Sequence, residues 1–245
     1  MSSIILPPET EEQDLRRIMS ELEQACDELQ IEILGGHTEV SDAVNRPVIT
    51  VTGVGKVARG DLLSTGGMQP GDELVMTKWT GLEGSAIIAA EKRDVLEQTL
   101  PTHLIDTAES FLKHISVVPE AKIAMQHGVH AMHDVTEGGI FGALWEMGAA
   151  SGVGIVADLD KIPIRQETIE LCEVFDINPY LLISSGCMLI GCENGNLLVE
   201  RLQEAGIPAA VIGRATEGND RVIRSGEETR FLEPAGSDEL YKIYE

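Results

Sequence analysis

Eleven consecutive residues constrain the fold of this chain more than any others: Val129-His130-Ala131-Met132-His133-Asp134-Val135-Thr136-Glu137-Gly138-Gly139. The apolar approach reads as a strand ending at Asp134. From Ile140 the spacing changes, with Ile140, Leu144, Met147 and Ala150 three or four apart, as on one face of a helix. A strand that runs through an acid, a hydroxyl and two glycines into a helix suits an anion or a metal–phosphate pair. Free N–H groups and the positive end of the dipole point out of a helix N-terminus, and glycines let a ligand approach the backbone. The same turn also reads as purely structural, with Thr136 as N-cap and Glu137 well placed in the first turn. The rest of the chain decides between the two.

In chain order, Pro7-Pro8-Glu9-Thr10 is a break, and Thr10-Glu11-Glu12-Gln13 has the form of a capping box. Leu15, Ile18, Met19, Leu22, Ala25, Cys26 and Leu29 form an apolar stripe that predicts a helix over 11–29. Strands are expected at 30–34 and 48–55. A helix and two strands are fewer than a free-standing sheet needs, so this portion reads as the tail end of a domain. Residues 56–72 are polar and glycine-rich, which sets a boundary between a partial N-terminal domain, 1–57, and a second domain, 58–245.

The second domain predicts a strand at 73–77, the turn Thr80-Gly81-Leu82-Glu83-Gly84-Ser85, and a helix from Ala86. Helices over 102–114 and from Pro119 to Gly128 follow. After the central stretch come strands at 153–157, 188–191 and 209–213, helices at 166–175 and 197–205, and a hairpin pairing 221–224 with 229–232. A short helix bears Tyr241 and Tyr244. Mixed elements in this order say α+β, or α/β mixed.

Composition excludes some partners. Lys and Arg number 18 against 41 Asp and Glu, a net charge of −23. Such a surface repels nucleic-acid phosphates and anionic lipid, so neither is expected as a partner. A nucleotide would need helix ends, local lysines or a metal ion to offset the repulsion. No apolar run reaches membrane-span length, and the first residues lack a signal-peptide pattern. Cys26, Cys172, Cys187 and Cys192 show no C-x-x-C spacing and read as reduced thiols of a cytoplasmic protein.

His127, His130, His133 and Asp134 invite a metal reading, but on a strand His130 and Asp134 share a face while His133 points away. His130 and His133 are expected to pack or hydrogen-bond at the strand end. Gly53-Val54-Gly55-Lys56-Val57 fails as a P-loop, with Thr50 where a glycine belongs and Val57 where a hydroxyl belongs. Gly35-Gly36-His37-Thr38-Glu39 is stronger, because paired glycines allow close backbone approach and His37 and Glu39 supply metal- or phosphate-directed groups.

With Gly71-Asp72, Gly81-Leu82-Glu83-Gly84, Asp134-Val135-Thr136-Glu137-Gly138-Gly139 and Ser184-Ser185-Gly186, that motif forms an ordered set. In this set the chain resembles the superfamily of aminoimidazole ribonucleotide synthetase (PurM), selenophosphate synthetase, thiamine-monophosphate kinase and the hydrogenase maturation protein HypE. It is most similar to the HypE-like, AIR synthase-related branch. The resemblance implies a PurM-like C-terminal domain preceded by a partial PurM N-terminal domain. It also implies ATP with Mg²⁺, a homodimer or a complex with a partner chain, and phosphoryl transfer that activates a substrate oxygen. By the same resemblance Gly35, Gly36, His37 and Thr38 sit on the metal–phosphate side, and Asp134, Thr136, Gly138 and Gly139 close the site. Asp134 and Glu39 are the expected metal ligands. The family's longer N-terminal portion, with its glycine-rich stretch and metal-binding aspartates, is not matched, nor is HypE's terminal cysteine. The chain is therefore expected to be incomplete for catalysis; the alternative is a non-catalytic nucleotide-binding or assembly protein.

Overall fold

The structure, a computed structural model, describes residues 1–234 and 236–244. The chain divides into two compact units, Met1–Leu62 and Leu63–Glu245.

The first unit is built on β1 (Ser2–Leu6), α1 (Glu12–Leu29), β2 (Gly36–Val40) and β3 (Val48–Val51). The first strand, whose residues carry no strand expectation above, is the middle of the sheet, parallel to β2 and antiparallel to β3. Ile4 and Leu6, two apart and so on one face, are its buried residues. Residues 30–34, expected as a strand, are irregular, and Ile31, Ile33 and Leu34 stay exposed. Pairing starts instead at Gly36, where a Cβ would lie 2.2 Å from the Ser2 carbonyl oxygen. Strand β3 likewise ends at Val51, short of Gly53 and Gly55. The α1 capping box forms one residue later than expected, between Glu11 and Asp14, because Asp14 rather than Gln13 returns to the N-cap amide. Leu15, Ile18, Met19, Leu22 and Cys26 are half-buried along the predicted stripe.

The second unit comprises β4 (Glu73–Thr77), α2 (Leu82–Glu91), α3 (Arg93–Leu96), α4 (Thr102–Glu109), α5 (Val118–Ala124), β5 (Val129–Asp134), α6 (Gly139–Ser151) and β6 (Gly154–Asp158). It continues with α7 (Gln166–Val174), β7 (Met188–Cys192), α8 (Gly195–Glu204), β8 (Ala209–Thr216), β9 (Arg221–Ser225) and β10 (Glu228–Phe231). Seven strands form one sheet in the order β10-β9-β6-β8-β4-β7-β5. Only β6 and β9 pair in parallel.

Alternation along the central strands divides the core between two faces. Leu74 and Met76 of β4 and Leu189 of β7 pack with Leu82, Ile105, Ile140, Leu144 and Leu171, from α2, α4, α6 and α7. Val75, Met188, Ile190 and Cys192 pack the other way, with Ala124 of α5 and Leu198 and Leu202 of α8. Helices on both faces fit the consecutive apolar residues Leu74 to Met76 of β4 and Met188 to Ile190 of β7. Helix α2 starts at Leu82 rather than Ala86, and the segment after Glu109 tightens into a 3₁₀ turn, Ser110–His114. The last element is also a 3₁₀ turn, Glu239–Tyr244. Among the described residues no helix is long and apolar enough to cross a membrane.

Because Leu189 is fully buried while Ile18 is half-exposed, Leu189→Ala should cost about 3 kcal/mol and Ile18→Ala under about 1 kcal/mol in urea unfolding followed by circular dichroism.

Candidate functional site

Strand β5 carries Asp134 to its end and leaves it exposed. Val135 is buried, and its N–H donates to the Cys187 carbonyl at 3.0 Å, which fixes the start of the turn. Gly138 and Gly139 then adopt φ values of +79° and +59°, a region other residues enter only with strain. A Cβ on Gly139 would lie 2.5 Å from the Tyr180 carbonyl oxygen and 2.8 Å from that of Leu182. The glycine lets the start of α6 lie against residues 180–182.

This packing changes the expected role of the backbone. Gly138 N–H donates to Asp238 Oδ2 at 2.7 Å, Gly139 N–H to the Thr136 carbonyl at 3.1 Å, and Phe141 N–H to the Tyr180 carbonyl at 3.2 Å. These amides are not free to face a ligand, because buried donors demand partners and the fold supplies them. Nor is Thr136 the N-cap; Gly138 holds that position. What the turn presents outward is Asp134 and Glu137, both exposed, and half-buried Thr136.

The second motif packs on the same segment. Gly81, at φ +69°, donates its N–H to Ser184 Oγ at 2.6 Å, and Gly84 N–H donates to the Ile183 carbonyl at 3.0 Å. A Cβ on Gly84 would lie 2.4 Å from the Leu182 side chain. The hydroxyl of Ser85 donates to Thr168 Oγ1 at 2.9 Å. Gly186, at φ +104°, accepts from the Nζ of buried Lys78 at 2.9 Å, and Lys78 also pairs with fully buried Glu120. Three motifs far apart in sequence thus meet along residues 178–186.

Asp238 completes the arrangement. It is 5 % exposed and accepts from Gly138, Ile183 and Leu240 N–H at 2.7, 3.2 and 2.8 Å. Its neighbour Glu239 accepts from Asn178 N–H at 3.0 Å. Neither acid stands out in the sequence, where they look like two more charges in an acidic chain; only the contact across 100 residues reveals Asp238. Beside the turn, a cleft of about 290 Å³ is lined by Phe141, Leu159, Asn178, Tyr180, Ile223 and Arg230. The Phe141 and Tyr180 rings stack within it, centroids 5.3 Å apart.

His130 Nδ1 hydrogen-bonds the Asp72 carboxylate at 2.9 Å, and His133 contacts Thr65 Oγ1 and Glu146 Oε2, each at 3.0 Å. Both histidines are held at the strand as the spacing suggests, and Asp72 emerges as the anchor of His130. Among the described residues no group of three or more His, Cys, Asp or Glu is placed to hold a metal ion. All four cysteines are free. Burial pushes the Cys187 and Cys172 thiols up to about 12 and Cys192 to about 11, so all three stay protonated at neutral pH.

In the first unit, Gly35 (φ +151°) and Gly36 lead into exposed β2. His37 and Glu39 share a face and lie 3.2 Å apart, Nε2 to Oε2, while Thr38 points to the other face.

Two outcomes follow. Asp238→Ala leaves three amides without their acceptor and should cost about 1–3 kcal/mol, whereas Asp134→Asn should leave the melting temperature unchanged. At pH 7.5 iodoacetamide should modify half-buried Cys26 quickly and the other three thiols only after denaturation, as read by mass spectrometry.

The pattern of the AIR synthase related protein, C-terminal domain, matches residues 69–225, and that of its N-terminal domain matches residues 1–57. A Methanocaldococcus jannaschii protein named for hydrogenase expression/formation is 31% identical over 225 residues, 90% of this chain and 65% of that one. Carbamoyl dehydratase HypE of Rhodobacter capsulatus is 29% identical over 229 residues, 91% of this chain and 65% of the relative. The chain thus spans about two thirds of the length of these relatives. A hydrogenase maturation protein HypE solved in complex with ATP shares the fold at a TM-score of 0.77 and 18% identity, covering 98% of this chain and 73% of that one. A chain of a solved HypE–HypF complex does so at 0.71 and 21%, covering 95% and 76%. The chain belongs to the AIR synthase related protein family, in its HypE-like branch.

Proposed function

We propose that this chain binds ATP with Mg²⁺ and takes part in phosphoryl transfer of the HypE type. The observation that carries the reading is the turn after β5, which presents Asp134, Thr136 and Glu137 while its glycine amides are bonded within the fold. Mg²⁺ is ordinarily held by one or two carboxylates together with the phosphates of the substrate. Exposed Asp134 is the carboxylate we assign to that role in the second unit, and exposed Glu39 is the metal-directed carboxylate we assign in the first. The metal would neutralise charge developing on the transferred phosphoryl group. Thr136 would orient a phosphate oxygen, and Gly138 and Gly139 would set the shape of the turn. In the first unit, Gly35, Gly36, His37 and Thr38 are the phosphate-directed residues we assign. The boundary between residues 57 and 58 is our division of the two family domains.

The reaction named in the relatives, dehydration of a carbamoyl group, must turn a carbonyl oxygen into a leaving group. Transfer of a phosphoryl group from ATP to that oxygen does so, and phosphate then departs with it. The cleft beside Phe141 and Tyr180 is where we expect the acceptor to rest. The reading includes a cytoplasmic location and association with a second chain. Exposed Val40, Val48, Ile49 and Val51 on the edge strands of the first unit support association, as does the HypE–HypF complex of the relatives. We favour a homodimer or a complex with a partner chain, without nucleic acid or membrane, in keeping with the charge of −23.

Calorimetric titration of the chain with Mg-ATP tests the reading. Asp134→Asn should weaken binding about tenfold or more with an unchanged melting temperature. Unaltered affinity would remove Asp134 from the site, and no binding by the unsubstituted chain would end the assignment. Phosphate release measured alongside separates turnover from binding in an assembly role.

A further inference from the structure

We propose that the face of the sheet formed by β8, β6 and β9 binds a small molecule carrying two oxyanion groups, one on each of Arg214 and Arg224. Register puts these side chains together. Arg214 lies opposite Val156 and Arg224 opposite Asp158, and Val156 and Asp158 are two apart on β6. All four therefore share one face. A bulge at Ile212, where β4 and β8 shift register, keeps Val211 on that face as well. With Gly71 and Gly213, these residues line a cleft of about 440 Å³.

The charge arrangement is what singles the cleft out. In a chain with 41 acids and 18 basic residues, Arg16, Arg17, Arg93, Arg165, Arg201 and Arg230 each hold a carboxylate. Two carboxylates do stand on this face, but both already have partners. Glu73, directly opposite Arg214, accepts from the N–H of Gly195 at the start of α8 at 2.7 Å. Asp158, opposite Arg224, pairs with Lys161 at 2.7 Å. Among the described residues neither the Arg214 nor the Arg224 guanidinium has a hydrogen-bond or ion-pair partner. Three cations thus face two committed acids in a strongly negative molecule.

Two strand spacings across and two residues along place the arginine Cα atoms roughly 12 Å apart. Two guanidinium forks at that span suit the ends of one small ligand rather than a single ion, and each fork can grip a phosphate or carboxylate by two bonds. The site stands apart from the turn after β5, since β4 and β7 lie between β8 and β5 in the sheet.

Titrate the full chain at low ionic strength with fructose 1,6-bisphosphate and, separately, with citrate, and repeat with Arg214→Gln, Arg224→Gln and the double variant. The proposal expects one or both anions to bind, with a loss of about tenfold or more in each single variant, no binding in the double variant, and unchanged melting temperatures and Mg-ATP affinity. The tighter anion identifies phosphate or carboxylate chemistry. Failure of both to bind at millimolar concentration, or affinities that ignore the substitutions, would overturn it. So would loss of binding in Asp134→Asn, which would move the anion to the other site.

Discussion

The close approach of residues 178–186 to two glycine turns governs the second unit. Gly84 and Gly139 both sit where a side chain would collide with Leu182 or its carbonyl, and Gly81 is held by Ser184. Helices α2 and α6 therefore begin against the same piece of chain, and the seven-stranded sheet is covered on that side by helices whose starts are tied together. Asp238 adds a carboxylate to the junction. A buried acid accepting three amides is a strong local constraint, because each amide would otherwise be a costly unsatisfied donor.

This constraint bears on chemistry. Glycines in a strand–turn–helix motif are commonly taken to open the backbone to a phosphate, but here their freedom is spent on packing within the protein. In the proposed function the ligand-directed groups are then side chains on a rigid frame: exposed Asp134 and Glu137 and half-buried Thr136. A frame fixed before a ligand arrives lowers the cost of organising a charged site.

Much of this was legible from residue spacing. The stripe of α1, the strands at 73–77 and 188–191, the hairpin of β9 and β10 and the strand end at Asp134 are local patterns, and local patterns survive in a sequence. What escaped detection depends on long-range pairing. The strand Ser2–Leu6 is short and gains its central place only by joining β2 and β3. Residues 30–34 alternate like a strand, yet β1 pairs with the next segment, from Gly36. Of the candidate site, the motif residues could be named from their order. The role of Asp238 could not, since its partners lie 100 and 55 residues away. The same limit hid Arg214 and Arg224, which meet only through sheet register.

Amide hydrogen exchange over residues 135–141, with and without Mg-ATP, tests most directly whether the turn is held by the protein or by its ligand. If the account is right, Gly138 and Phe141 amides exchange slowly in the free chain and nucleotide leaves their rates unchanged. Rapid exchange in the free chain, with protection appearing only on adding Mg-ATP, would show that the backbone itself grips the phosphates and would contradict it.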